Sequence, residues 1–272
     1  MRFQLISDLE ASAPASLQDR ALHYGDGLFE TMLMQGGQIA LWDSHYRRLA
    51  ASAERLGIAC PGQAQLDDAL RAYAGLDRDL VIKLILSRGI GGRGLSLPDN
   101  PQPVVYLLHY AHDAAMVGSA IKATRLERVL VDNPRLAGIK HLNRLDYILA
   151  SQRLAQRGEF NEAVLEDQHG FVVEGIVHNL FFSLDGRIHT PGVDTCGVAG
   201  VMRDTVVKRL KQAGKHVTIG RYRWADLQAA ESIVYCNSVQ GIRPVIAVDG
   251  ETWRSAPLVN ELQALFHADQ TA

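Results

Sequence analysis

The sequence predicts a mixed α/β fold (α+β in its arrangement) built as two lobes, and three observations predict it. Its 272 residues, 47% of them hydrophobic, can bury one large core or two modest ones, and the length favours two. Segments rich in β-formers alternate with segments of helical periodicity along the chain. The small and polar run "HDAAMVGSA" interrupts that alternation and reads as a linker. We therefore expect a smaller N-terminal α/β domain over 1–112, a linker over 113–118 and a larger C-terminal domain over 119–272.

In the first lobe, "DSHYRRLAASAERLG" reads as a helix with Asp43 or Ser44 as N-cap, Leu49, Ala53 and Leu56 on one face, and Gly57 just beyond its end. It carries Arg47 and Arg48. "DLVIKLILSRG" and "PVVYLLHY" read as neighbouring strands. Between them, "GIGGRG" formally satisfies a dinucleotide-binding fingerprint at Gly89, Gly91 and Gly94. The fingerprint needs a following helix to meet the pyrophosphate, and here the chain runs into "LSLPDNPQP", so that reading is rejected. What remains is a glycine loop holding Arg88 and Arg93.

The second lobe opens with a strand around "AIKATRLERVL", followed by "LAGIKHLNRLDYIL" and a helix through "LNRLDYILASQRLAQRG", closed by Gly158. Two hairpins follow, turning at 168–170 and at Asp185-Gly186. "CGVAGVMRDTVVKRLKQAG" then reads as a glycine-bearing turn opening a helix that Gly214 terminates. A last strand, "ESIVYCNSVQ", ends at Asn237 and Ser238.

Charge and composition exclude several functions. A formal net charge of −2 and dispersed arginines and lysines argue against nucleic acid and for a small-molecule substrate. Three widely spaced cysteines, Cys60, Cys196 and Cys236, offer no zinc or redox pair and suit a reducing cytoplasm. The start of the chain meets Asp8 and Glu10 too early for a secretory signal. No segment approaches the roughly 18 apolar residues of a membrane span. No metal site is expected, because His109 and His112 find no third ligand at a recognised spacing.

The chemistry starts at Lys140, which stands after a glycine-containing lead-in and before an apolar helical run, a place that suits a side chain pointing into a site. One lysine, one acid, one arginine and a helix start that can take a phosphate are the requirements for pyridoxal 5'-phosphate. Lys140 would condense with its aldehyde and Glu174 would meet its pyridine nitrogen. Arg48, the backbone N–H groups of Val201 and Met202, and the Ser238 hydroxyl would hold its phosphate, with Asn237 alongside.

The stretches "ALHYGDGLFET", "HYRRLAAS", "LAGIKHLNRLDYILA", "VVEGIVHNLF", "GVAGVMRD" and "IVYCNS" carry a resemblance across nearly the whole chain. In order and spacing the sequence resembles the fold type IV pyridoxal-phosphate enzymes, which include branched-chain and D-amino-acid aminotransferases and 4-amino-4-deoxychorismate lyases. "SRGIGGRGLS" and "LAGIKHLNRLD" look most like the lyases. The resemblance implies a two-lobed architecture with the cofactor at the domain interface, the cofactor-binding part in the C-terminal domain, and a homodimer. It also implies the roles given above for Lys140, Glu174, Arg48, Val201, Met202 and Ser238, and an active-site role for Tyr24.

Two positions depart from the branched-chain aminotransferases. Leu145 stands where they carry a tyrosine on the cofactor's ring hydroxyl, and Met202 where they carry a threonine at the phosphate. The implied activity is conversion of 4-amino-4-deoxychorismate to 4-aminobenzoate, a folate precursor, and pyruvate. That substrate carries two carboxylates, for which Arg88, Arg93 and Arg144 are the candidate ligands. His141 and Asn143 flank Lys140 without a direction that spacing can assign. The alternatives are an aminotransferase of the same fold, or a cofactor-binding carrier or regulator without catalysis. Lys140 and Glu174 together speak against the carrier, since phosphate binding needs neither.

Overall fold

The structure, a computed structural model, describes residues 4–9 and 15–267; Glu10 and the rest of 10–14, with 1–3, lie outside the described residues of the amino-terminal stretch. The chain divides into two compact units, one reaching to His112 and including Ile139–Asn143, the other formed by Asp113–Gly138 and Arg144 onward. The expected linker region holds one turn of 3-10 helix, Ala114–Met116, and belongs to the second unit.

The first unit contains β1 (Gln4–Ser7), α1 (Arg20–Tyr24), β2 (Gly27–Gln35), β3 (Gln38–Ile39), α2 (Trp42–Leu56), α3 (Gln63–Ala74), β4 (Leu80–Ser87) and β5 (Val104–Ala111). Its five strands run in the order β1-β5-β4-β2-β3, with β1 parallel to β5 and the other pairs antiparallel. Period-two alternation sends Leu28, Met32 and Met34 of β2 and Leu80, Ile82, Leu84 and Leu86 of β4 to one face. There they pack with Leu49 and Ala53 of α2 and Leu66, Leu70 and Tyr73 of α3. Each such fully buried leucine contributes about 1.5–3 kcal/mol. Glu30 lies in the same row, directly opposite Leu84, so its carboxylate enters an apolar core and must be paired.

Two details of this unit differ from expectation. The N-cap of α2 is Leu41, in the left-handed region, and Asp43 falls inside the first turn, where its Oδ1 accepts from Gln63 of α3. Residues 139–143, expected with the C-terminal domain, pack with the first unit instead. The reason is that Phe29 N–H donates to Lys140 O at 2.9 Å, Leu142 N–H donates to Gly27 O at 3.0 Å, and Ile139 is wholly buried in the first core. "GIGGRG" lies in the loop joining antiparallel β4 and β5, with no helix after it.

The second unit contains β6 (Ile121–Leu130), α4 (Leu145–Ala155), β7 (Glu162–Asp167), β8 (Phe171–Glu174), β9 (Asn179–Leu184), β10 (Arg187–Pro191) and α5 (Val201–Gln212). Then come β11 (Val217–Gly220), β12 (Tyr222–Arg223), α6 (Trp224–Gln228), β13 (Ser232–Asn237), β14 (Gly241–Val248), β15 (Glu251–Thr252) and α7 (Ala256–His267). The sheet runs β11-β10-β9-β13-β14-β6-β7-β8-β12, with β15 on β14. Helices α5 and α7 cover it through Val206, Leu210, Leu258 and Leu262. β13 is not the last strand: β14, β15 and α7 follow it, and β14 joins β13 to β6. Helix α4 ends at Ala155 with Gln156 as its cap, short of Gly158, because the N–H groups of Gln156 and Arg157 turn back onto Gln152 and Leu154.

Candidate active site

In the second unit the chemistry gathers where β8 and β9 meet the start of α5. Strand β8 ends on Glu174, which is 2% exposed. Its Oε1 accepts from the Tyr147 hydroxyl at 2.5 Å, and its Oε2 accepts from Asn179 Nδ2 at 2.9 Å and Val198 N–H at 3.1 Å. These donors are all neutral. Burial first, and the Glu174 charge after it, push the Tyr147 hydroxyl well above its ordinary range, so it remains a donor at any working pH.

Asn179 also donates to Val198 O at 3.0 Å, which ties β9 to the loop leading into α5. That loop ends on Gly200, the N-cap of α5, where no side chain caps the helix. A Cβ on Gly200 would lie 1.9 Å from Asn179 Oδ1, so only glycine fits between Asn179 and the helix start. The N–H groups of Val201 and Met202 thus open a twelve-residue helix with no side-chain hydrogen bond at its cap, and Asp204 in its first turn is paired with Arg203. This donor set suits a phosphate.

The turn after β13 is shaped by Asn237, whose Oδ1 accepts from the N–H groups of Val239 and Gln240 at 3.0 and 2.7 Å. The Asn237 side chain therefore builds the turn that carries half-buried Ser238. Arg144, at the N-cap position of α4, lies with its guanidinium carbon 4.9 Å from the centre of the Tyr147 ring.

In the first unit Lys140 is half-buried, with Nζ 4.3 Å from the centre of the Phe29 ring. Asn143 points to the loop after α1 and donates from Nδ2 to Gly25 O at 3.0 Å, while His141 forms a bridge with Leu28. Arg48 is turned onto Glu30: Nε donates to Oε1 at 2.8 Å and Nη2 makes a second, closer contact with Oε2. His45, fully buried on the same helix, reaches Glu30 Oε2 through Nδ1 at 2.7 Å. Burial alone would raise the Glu30 carboxyl, but the Arg48 charge and the His45 and Arg48 hydrogen bonds overcome it and hold it at about 2.

Arg88, a candidate substrate ligand, is held by partners within the fold. It is 7% exposed, grips both oxygens of Asp26 at 2.8 and 3.1 Å, and donates to the carbonyls of Gly57 and Leu56. The carboxylate it meets belongs to the fold. Arg93 is exposed in the β4–β5 loop, and Tyr24, 37% exposed, sits at the end of α1.

A family profile described as amino-transferase class IV matches residues 27–248. The chain belongs to the class IV aminotransferase family. Within that class it is 34% identical to the aminodeoxychorismate lyase of Vibrio harveyi over 85% of this chain and 86% of that protein. It is 32% identical to a provisionally named branched-chain-amino-acid aminotransferase of Methanocaldococcus jannaschii, over 89% and 85% of the two chains. Among solved structures, the 4-amino-4-deoxychorismate lyase of Pseudomonas aeruginosa superimposes with a TM-score of 0.84 at 37% identity, covering 96% of this chain and 97% of that one.

Position and residue type single out Lys140 and Glu174 in the sequence, but not Tyr147 and Asn179. Asn179 follows Glu174 by five residues inside the quoted motif "VVEGIVHNLF", and Tyr147 is the one aromatic residue of "LAGIKHLNRLDYILA"; both signals were present without a direction.

Proposed function

We propose that this chain is a pyridoxal-phosphate-dependent lyase that converts 4-amino-4-deoxychorismate to 4-aminobenzoate and pyruvate. The observation that carries the cofactor assignment is the Glu174 carboxylate, buried and oriented by Tyr147, Asn179 and Val198 N–H, beside a helix start with no side-chain cap. Two lyases at 34% and 37% identity, each matched over most of its length, favour the lyase branch.

When bound, the cofactor supplies an aldehyde that condenses with amines and a protonated ring that draws electrons from the carbon bearing the amine. Lys140 would provide the resident amine, and Glu174 would keep the proton on the ring nitrogen. The N–H groups of Val201 and Met202, the Ser238 hydroxyl and Arg48 would hold the phosphate. For Arg48 that role adds to its contact with Glu30, which orients the guanidinium. Lys140, as a neutral amine, would take the proton from the amine-bearing ring carbon of the substrate. The C–O bond to the enolpyruvyl group breaks, that group leaves and is protonated to pyruvate, and the remaining ring is aromatic. Arg93 and Arg144 are the proposed ligands of the two substrate carboxylates, and Tyr24 the proposed active-site hydroxyl.

Such an enzyme would supply 4-aminobenzoate for folate synthesis in a reducing cytoplasm, where Cys60, Cys196 and Cys236 stay free. No helix among the described residues is long and apolar enough to cross a membrane. We further propose a homodimer, because α4 exposes Leu145, Ile148 and Leu149 at 76, 52 and 56%.

The test is to incubate cofactor-loaded protein with 4-amino-4-deoxychorismate and quantify 4-aminobenzoate and pyruvate, expected in equal amounts. Absence of both, with amino exchange between amino acids and 2-oxo acids, would move the chain to the aminotransferase reading that the Methanocaldococcus relative favours.

A further inference from the structure

The glycine loop between β4 and β5 is built around a residue that no motif singled out. Arg20, the first residue of α1, is 4% exposed. Its Nη1 faces three loop carbonyls, donating to Ser96 O at 3.0 Å, Gly91 O at 3.3 Å and Gly94 O at 3.4 Å. Its Nε donates to Asp26 Oδ2 at 2.8 Å, the same oxygen that Arg88 Nε reaches at 2.8 Å. Burial would raise the Asp26 carboxyl, but Arg88 and Arg20 outweigh it and hold it below its ordinary value, so the shared anion stays charged. The central carbon of the Arg20 guanidinium lies over the Tyr24 ring, 4.9 Å from its centre.

The backbone around Arg20 is tied to the same loop. Its N–H donates to Gly89 O at 3.1 Å, and Asp19 forms a bridge with Ile90. The Asp19 carboxylate in turn accepts from Ser87 Oγ, at the end of β4, and from Tyr106 Oη of β5, both at 2.5 Å. Gly92 has φ +74°, and a Cβ there would lie 2.1 Å from Ser96 O and 3.1 Å from Arg20 Nη1. The loop therefore folds its carbonyls inward onto one cation, which leaves exposed Arg93 at its outer turn.

We propose that Arg20 is a positioning residue that sets, through one guanidinium, both the conformation of the loop carrying Arg93 and the placement of the Tyr24 ring, and so governs substrate affinity. The proposal rests on the lyase reading for the identity of the substrate. Three loop carbonyls, one carboxylate and one aromatic face converge on a planar fork, a set that the point charge of lysine does not reproduce. Arg20→Lys retains a cation for Asp26 and loses the fork.

The experiment uses the cofactor-loaded full chain as wild type, Arg20→Lys and Gly92→Ala. It reads the rate of tryptic nicking after Arg93, KM and kcat with 4-amino-4-deoxychorismate, and the dissociation constant of pyridoxal 5'-phosphate. We expect both variants to be nicked about tenfold faster and to show KM raised about tenfold, as loss of one to two buried hydrogen bonds would produce. Their kcat stays within about threefold and their cofactor affinity unchanged, because Arg20 takes no part in holding the cofactor. Gly92→Ala keeps the Arg20 guanidinium and its Asp26 partner but crowds Ser96 O and Arg20 Nη1 from the loop side, and it serves if Arg20→Lys does not accumulate. Nicking of Arg20→Lys at the wild-type rate, faster nicking with wild-type KM, or a parallel loss of cofactor affinity would each overturn the proposal. A wild type that makes no 4-aminobenzoate instead overturns the lyase reading and the substrate part with it; the nicking rate then still decides whether Arg20 anchors the loop.

Discussion

Two buried glutamates, one in each unit, show opposite ways of keeping a carboxylate inside a protein. Glu30 is 1% exposed and is met by the guanidinium of Arg48 and the ring of His45. Glu174 is 2% exposed and is met by a phenol, an amide and a backbone N–H. The first carboxylate has its countercharge within the fold. The second accepts from three dipoles, a phenol, an amide and a backbone N–H, which fix the direction of both its oxygens. A carboxylate whose two oxygens are oriented in this way suits the ring-nitrogen role proposed for Glu174.

The comparison can be sharpened or broken by substitution. The largest expected effect lies at the proposed reacting amine: Lys140→Ala should abolish 4-aminobenzoate formation to background in a product assay while the chain still folds. Glu174→Gln should follow, with kcat lowered about a thousandfold, in the range for removing one preorganised electrostatic contact. A Glu174→Gln enzyme of near wild-type kcat would mean that its dipole cage serves structure alone.

Glu30 should behave in the reverse sense, through stability. Its carboxyl is depressed to about 2 from an ordinary 4.5, so its contribution is fully present above about 4.5 and is lost as the pH falls toward 2. That shift corresponds to about 3 kcal/mol. Urea denaturation at pH 7 and pH 3 should show the wild type losing stability on acidification, and Glu30→Gln should be less stable at pH 7 and flatter between the two. Equal pH dependence in both proteins would break the contrast.

Tyr147→Phe removes the hydroxyl donor to Glu174 Oε1 and leaves the ring packed, so kcat should fall about tenfold with little change in unfolding midpoint. The smallest effect on the fold belongs to Arg93→Ala, expected to raise KM about tenfold and leave the unfolding midpoint in place. Arg88→Ala, by contrast, strips Asp26 of a buried partner and should cost about 3–5 kcal/mol in urea denaturation.

Much of this molecule was determined by local sequence. Helix α2, strands β4 and β5, the hairpins at 168–170 and 185–186, and the loop into α5 follow from periodicity and turn residues that act within a few positions of one another. The family's motifs likewise singled out Lys140, Glu174 and the start of α5, because each is a short string whose chemistry is written in its own residues. What only the tertiary structure decided is which polar side chains meet across long separations. Arg88 and Arg93 stand in one glycine loop and are indistinguishable by type, yet Asp26, 62 residues from Arg88, claims the first for the fold. Arg20 became the hub of that loop through carbonyls 71 to 76 residues away, and Tyr147 found Glu174 across 27. Residues 139–143 changed units because two strand-edge hydrogen bonds and one buried isoleucine outweighed their place in the chain. Hydrophobic period is set locally by backbone geometry, whereas the pairing of a buried charge depends on which distant strand or helix end the fold brings within about 3 Å.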